Sequence, residues 1–240
     1  MSKITNKQKI ILEKLDTEKT YSIDEAMKII QSVKSEKFDE SVDISVKLGV
    51  DSNKSDQNVR GAVSLPNSLG KEVKVAVFAD GDHAKSAEEA GADFVGMEDL
   101  SEKFQKEEIV ADVVISTNAA MKVVGKLGQT LGPKGLMPNP KTGTVSDDVT
   151  SAIKNVKAGQ VRFRTDKNGI IHGSIGKVSF DGDKIKANAS ALLEELKKLK
   201  PASAKGVYIG NIAISSTMGP GVKINPCLLY TSPSPRDLMR

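Results

Sequence analysis

Leu65-Pro66-Asn67-Ser68-Leu69-Gly70-Lys71-Glu72-Val73-Lys74-Val75-Ala76-Val77-Phe78-Ala79 is where the pattern of the chain changes. Before it, Val42-Asp43-Ile44-Ser45-Val46-Lys47-Leu48 alternates apolar and polar residues strictly, the mark of a strand with one face buried. After the break at 66–70, residues 73–79 are almost continuously apolar, as in a parallel-sheet strand covered on both sides. A sheet half open to water gives way to a sheet enclosed by helices. A chain of 240 residues has room for both cores.

Working forward, the spacing predicts a helix over 82–90, a brief strand over 91–95, a helix over 100–106, an apolar strand over 111–116 and a capped helix over 146–156. Alternating strand and helix argues for an α/β unit with a largely parallel sheet. At Lys157-Ala158-Gly159-Gln160 the character reverts. Residues 161–165 alternate, Asp166-Lys167-Asn168-Gly169 makes a hairpin turn, and 170–180 supplies the partner strand. An amphipathic helix follows over 190–199, stopped by Pro201, and 206–214 is the last strand. Working backward, 59–65 is a strand, Ser22-Ile23-Asp24-Glu25 is a capping box opening a helix, and 4–15 is an amphipathic helix. The inner segment, 70–159, is therefore inserted into a discontinuous outer domain made of 1–69 and 160–226. The two crossings would then act as a hinge.

The most unusual run lies inside the insertion: Gly125-Lys126-Leu127-Gly128-Gln129-Thr130-Leu131-Gly132-Pro133-Lys134-Gly135-Leu136-Met137-Pro138-Asn139-Pro140-Lys141-Thr142-Gly143-Thr144-Val145. Three prolines fix φ and remove donors, which predicts an ordered loop rather than a helix or central strand. Leu127, Leu131, Leu136 and Met137 pin it, and its amides with Lys126, Lys134 and Lys141 could cradle phosphate.

Composition and spacing give little support to catalytic or metal chemistry. One cysteine and two histidines leave no disulfide framework and no multi-thiolate or His-rich metal site, and no cofactor is signalled. No run reaches the length of a membrane span, and the N-terminus lacks a signal peptide's apolar segment, so a cytoplasmic protein is expected. A nucleotide-binding P-loop needs Gly, four residues, then Gly-Lys-Ser/Thr; Gly128 to Lys134 has another spacing and no hydroxyl after its lysine. No Gly-x-Gly-x-x-Gly follows a strand, and Gly173-Ser174 lies within one. His83 opens a helix and His172 sits in a strand, both as structural or solvent-facing residues. Asp147-Asp148 at a helix start is accounted for by the helix dipole. The competing class is a two-domain α/β enzyme closing on a phosphorylated ligand, with the Pro/Gly loop as its cradle.

Charge points elsewhere. Residues 1–69 carry 11 Lys+Arg against 11 Asp+Glu, and 70–159 carry 11 against 14. Residues 160–225 carry 11 against 5, so a polyanion footprint is to be sought there, with a solvated basic surface as the alternative reading of the charge alone. Arg162 and Arg164 share one face of a strand, with Phe163 between them and Lys167 in the turn, a spacing suited to tracking a phosphate backbone. Lys37-Phe38 offers a cation and an aromatic ring after a helix. Thr217-Met218-Gly219 is a small-residue turn whose backbone can approach sugar and phosphate closely.

Together these pieces resemble one family, the bacterial form of the large-subunit ribosomal protein L-one. The resemblance covers about residues 2–226. Its carriers are Lys37-Phe38-Asp39-Glu40, Ser55-Asp56-Gln57-Asn58-Val59-Arg60-Gly61, the 125–145 run, Phe163-Arg164-Thr165-Asp166-Lys167-Asn168-Gly169 with Gly176-Lys177, and Thr217-Met218-Gly219. It implies an outer split β-α-β domain with an antiparallel sheet and an inserted Rossmann-like three-layer α/β domain. It implies a non-enzymatic protein of the cytoplasmic ribosome, monomeric off the particle, that binds the stalk region of large-subunit rRNA beside the exit site for deacylated tRNA. It also implies repression of its own operon through a similar mRNA fold. Carried over by motif, the RNA contacts are Lys37, Phe38, Asp166, Lys167, Thr217, Met218 and Gly219, with the loop lysines as a secondary contact.

The resemblance stops near Pro226. Cys227-Leu228-Leu229-Tyr230-Thr231-Ser232-Pro233-Ser234-Pro235-Arg236-Asp237-Leu238-Met239-Arg240 has neither helical nor strand period. It resembles a sequencing-library adapter read through in frame, and is expected to be non-native.

Overall fold

The structure is a computed structural model, and it describes residues 11, 15–16, 19–34, 38–52, 54–70, 73–106, 109–204 and 206–225. Lys37, the tail from Cys227 and most of the helix expected over 4–15 lie outside the described residues. The chain divides into two compact units, Met1–Val59 with Leu65–Leu69 and Phe163–Arg240, and Arg60–Ser64 with Gly70–Arg162.

In the first unit, α1 (Ile23–Ser32) opens on the expected capping box. Ser22 Oγ accepts from the Glu25 amide at 3.3 Å, and Glu25 Oε2 accepts from the Ser22 amide at 3.0 Å, satisfying two donors the helix itself leaves open. Its buried face is Ile23, Ala26, Met27 and Ile30. Four antiparallel strands follow in the order β7-β1-β8-β9: β1 (Ser41–Leu48), β7 (Ile170–Lys177), β8 (Ile209–Ser216) and β9 (Gly221–Ile224). Along β1 the apolar residues Val42, Ile44, Val46 and Leu48 are buried, as the alternation required. Helices α1 and α7 (Gly182–Lys198) pack against this sheet, α7 burying Ile185, Leu192, Leu193 and Leu196. Each such side chain contributes about 1.5–3 kcal/mol by leaving water.

In the second unit, β3 (Val75–Phe78) lies between β4 (Phe94–Gly96) and β5 (Val113–Ser116), all parallel. Val75, Val77 and Ile115 face one way, onto α2 (Asp82–Glu89) and α6 (Val149–Lys157). Ala76, Phe78 and Val114 face the other way, onto α3 (Glu98–Gln105), α4 (Met121–Lys126) and α5 (Gly128–Leu131). This is the three-layer α/β arrangement, and it explains why these strands are apolar on both faces.

Three expectations are corrected. The 125–145 stretch is not a loop throughout: α4 and α5 carry helix through Leu131. All three prolines lie beyond that point, and Leu127 and Leu131 are fully buried against the sheet. The hairpin expected across Asp166–Gly169 has its turn, with Gly169 at φ 74°, but not its ladder. Apart from one bridge, Thr165 to Ile171, the two arms diverge: β6 (Gln160–Arg164) pairs with β2 (Arg60–Ser64), and β7 pairs with β1. Strand β9 was not expected at all, because Gly221 to Ile224 is short and follows a Gly-Pro turn.

Candidate functional site

Opposite its helix-covered side, the antiparallel sheet presents a polar surface fixed by register. Asp43 stands between Ser174 and Ser215, with Gly221 beyond; Ser45 stands between His172 and Ala213, with Lys223 beyond. Lys47 and Ile170 continue the surface towards one end, Ser41 and Lys177 towards the other. His172, Lys47 and Lys223 are exposed, and the serines and Asp43 are partly so. The side chains are short apart from the lysines and histidine, so a polymer backbone can lie close to the strands. Sequence reading missed these positions. Alternation in 42–48 marks outward residues on β1, but nothing local says which residues of β7, β8 and β9 line up beside them.

At the Ser41 end, three chain segments are stitched together. The Thr217 amide donates to Ser41 O at 3.1 Å, the Ser41 amide donates to Thr217 Oγ1 at 3.1 Å, and that hydroxyl is 3.4 Å from Ser41 O. The Met218 amide donates to Glu40 Oε2 at 3.3 Å, although Glu40 is only 1% exposed. Ser179 binds Asp39 through its amide at 3.3 Å and its hydroxyl at 2.8 Å, and the Val178 amide donates to Glu40 O at 2.9 Å. On this frame sit two exposed apolar side chains, Phe38 (49%) and Met218 (60%). Gly219 closes the turn with its amide on Ser216 O at 3.2 Å, and a Cβ there would overlap Ser216 Oγ.

The structure thus brings Phe38, Thr217, Met218 and Gly219 to one end of the sheet. Asp166 and Lys167 stand at the other, where the Leu48 amide donates to Gly169 O at 2.8 Å and Ser52 Oγ bonds Lys167 O. At about 3.3 Å per residue, the length of β1 separates the two groups by roughly 20 Å. They are two ends of one elongated surface rather than one pocket.

The arginine pair divides. Arg164 is exposed. Arg162 is half-buried in the other unit, where its Nη2 donates to Asp112 O at 3.0 Å. Burial pulls its guanidinium below the usual value, offset in part by the Asp112 carboxylate. Arg162 is thus engaged, through one of its guanidinium nitrogens, in packing the inserted unit. Between the two arginines, buried Phe163 turns inward, and beside them Thr165 Oγ1 donates to Val59 O at 2.9 Å. Of the loop lysines, Lys126 ends α4 and Lys134 follows Pro133, both exposed, while Lys141 lies in the 3-10 turn Pro140–Thr142. Among the described residues no group of His, Cys, Asp and Glu could hold a metal ion, and no helix is long and apolar enough to cross a membrane.

Residues 30–220 match the Ribosomal protein L1p/L10e family. The large ribosomal subunit protein uL1 of Saccharophagus degradans is 58% identical over 225 residues, covering 94% of this chain and 97% of the relative. The uL1 of Pseudoalteromonas atlantica is 56% identical over 229 residues, covering 95% and 98%.

Proposed function

Because the chain belongs to the Ribosomal protein L1p/L10e family, we propose that it is a structural, non-enzymatic component of the large ribosomal subunit in the cytoplasm, and that it binds the stalk region of large-subunit rRNA through its outer unit. The supporting observation is the polar sheet surface, with Ser41, Ser45, Ser174 and Ser215 beside Lys47 and Lys223, bordered by exposed Phe38 and Met218. Hydroxyls and lysines suit ribose 2′-hydroxyls and phosphates, and an exposed ring suits an unstacked base. RNA is read in this way by shape, without base-edge readout along a duplex groove. Lys37, Asp166 and Lys167 are carried over as RNA contacts by the motif match, and exposed Arg164, on β6 outside this sheet, is a further candidate cation. Lys126, Lys134 and Lys141 of the inserted unit offer a separate, secondary contact.

Two finer roles are carried over from the same resemblance: assisting release of deacylated tRNA from the exit site, and repressing translation of its own operon by binding its mRNA. If one surface serves both RNAs, free stalk rRNA relieves the repression in a cell-free translation of that mRNA.

A gel shift tests the main reading. The full chain retards a stalk rRNA fragment, with an association constant that falls as salt rises because lysines displace counterions. Millimolar nucleotides leave its melting temperature unchanged. Stabilisation by a nucleotide without retardation of the RNA would reverse the order and favour the phosphate-ligand reading.

A further inference from the structure

We infer that Glu40 is a positioning residue of the RNA surface, a buried carboxylate that holds the Thr217-Met218-Gly219 turn in its binding shape without touching the ligand. The inference rests on the RNA reading above and extends it to a residue whose side chain is withdrawn from solvent. Glu40 is 1% exposed, yet its Oε2 accepts from the Met218 amide at 3.3 Å. That amide lies in a tight turn, away from the β8–β9 ladder, which runs from Ser215–Gly221 to Ile212–Ile224. The carboxylate therefore replaces a missing sheet partner.

Glu40 is itself fixed on both sides. Its carbonyl accepts from the Val178 amide at 2.9 Å, Asp39 is bound by Ser179, and Ser41 exchanges hydrogen bonds with Thr217. Phe38, Met218 and the Thr217 hydroxyl are thereby locked into one spatial relationship, although 176 residues separate Ser41 from Thr217. A surface that recognises RNA by shape needs this rigidity, because ordering a loose turn on binding would subtract from affinity.

Three variants of the full chain test the inference, read by gel shift with the stalk rRNA fragment and by amide exchange at Met218. Glu40→Ala removes the acceptor: Met218 exchanges faster, and affinity drops about ten-fold, the loss of one buried hydrogen bond passed to binding. Glu40→Gln keeps a carbonyl oxygen at the same reach and restores affinity to within about three-fold of wild type. The salt dependence stays unchanged in both, since Glu40 contacts no phosphate. Leu192→Ala, which opens the core behind α7, lowers the melting temperature without altering affinity and so separates positioning from general destabilisation. Wild-type affinity in Glu40→Ala overturns the inference, and so does a Gln variant as weak as the Ala variant. Failure of the wild type to retard the RNA sinks the RNA reading alone, and amide exchange at Met218 still decides whether Glu40 holds the turn.

Discussion

Consider replacing Gly219 with alanine. The added methyl would overlap Ser216 Oγ, while Ser216 Cβ is 3.5 Å away, an ordinary contact. Ser216 is 5% exposed and its Oγ has no hydrogen-bond partner, so the hydroxyl occupies space without bonding to anything. Overpacking of this kind costs about 1–3 kcal/mol, since Ser216 must turn its side chain or the turn must open. Ser216→Ala removes the obstructing atom and no bond, so by itself it is expected to change stability by less than about 1 kcal/mol. The double variant Ser216→Ala/Gly219→Ala then recovers most of the loss, giving a coupling of about 1–2 kcal/mol, well beyond ordinary additivity error. Urea unfolding of the four proteins, followed by a probe in the outer unit, measures the cycle, and each kcal/mol corresponds to roughly 2–4 °C in Tm for a chain of this size. Effects that add within about 0.3 kcal/mol, or a costless Gly219→Ala, would refute the steric argument and leave the glycine to be explained by close approach of a ligand.

Three further outcomes are expected. Asn188 is fully buried, its Nδ2 donating to Asn67 O at 3.0 Å and Ile175 O at 2.7 Å while its Oδ1 accepts from the Asn67 amide at 3.0 Å. Asn188→Ala orphans these groups and should cost about 2–4 kcal/mol in denaturant unfolding, and a loss under about 1 kcal/mol would show the network to be dispensable. Thr217→Val should leave the melting temperature within a few degrees, because water replaces the hydroxyl at this exposed position, but weaken stalk RNA binding about ten-fold; unchanged affinity would remove Thr217 from the interface. Burial pushes the Tyr208 phenol up to about 12. With the folded value above the unfolded one near 10, its contribution is whole below about pH 10 and is lost as pH rises through 12. An alkaline titration of stability should therefore fall more steeply for the wild type than for Tyr208→Phe, and parallel curves would contradict the burial.

How much was legible depended on the range of the forces involved. The Ser22–Glu25 capping box, the alternation of β1 and the continuous apolar runs of β3 and β5 are settled within a few residues, and the structure carries them where the sequence placed them. The prolines of the 125–145 stretch signal a loop, but all three follow Leu131, and Leu127 and Leu131 ahead of them have the spacing of a buried helical face. The site was legible only as motifs. Phe38 and Thr217-Met218-Gly219 are singled out by the family motif match, and they share one end of the sheet.

Local sequence therefore determined what each segment is: the elements and the change of sheet type at 66–70 are governed by periodicity and backbone stereochemistry over a few residues, and the family signature is carried by short motifs. Only the tertiary structure decided which segments meet. It paired β7 with β1 instead of β6, aligned Ser174, Asp43 and Ser215 across three strands, assigned Arg162 to Asp112, and buried Glu40 beneath Met218. These contacts close loops of 50 to 178 residues. Loop-closure cost rises so slowly with length that chain separation barely disfavours them, and burial and hydrogen-bond satisfaction across the assembled sheet select among the possible partners.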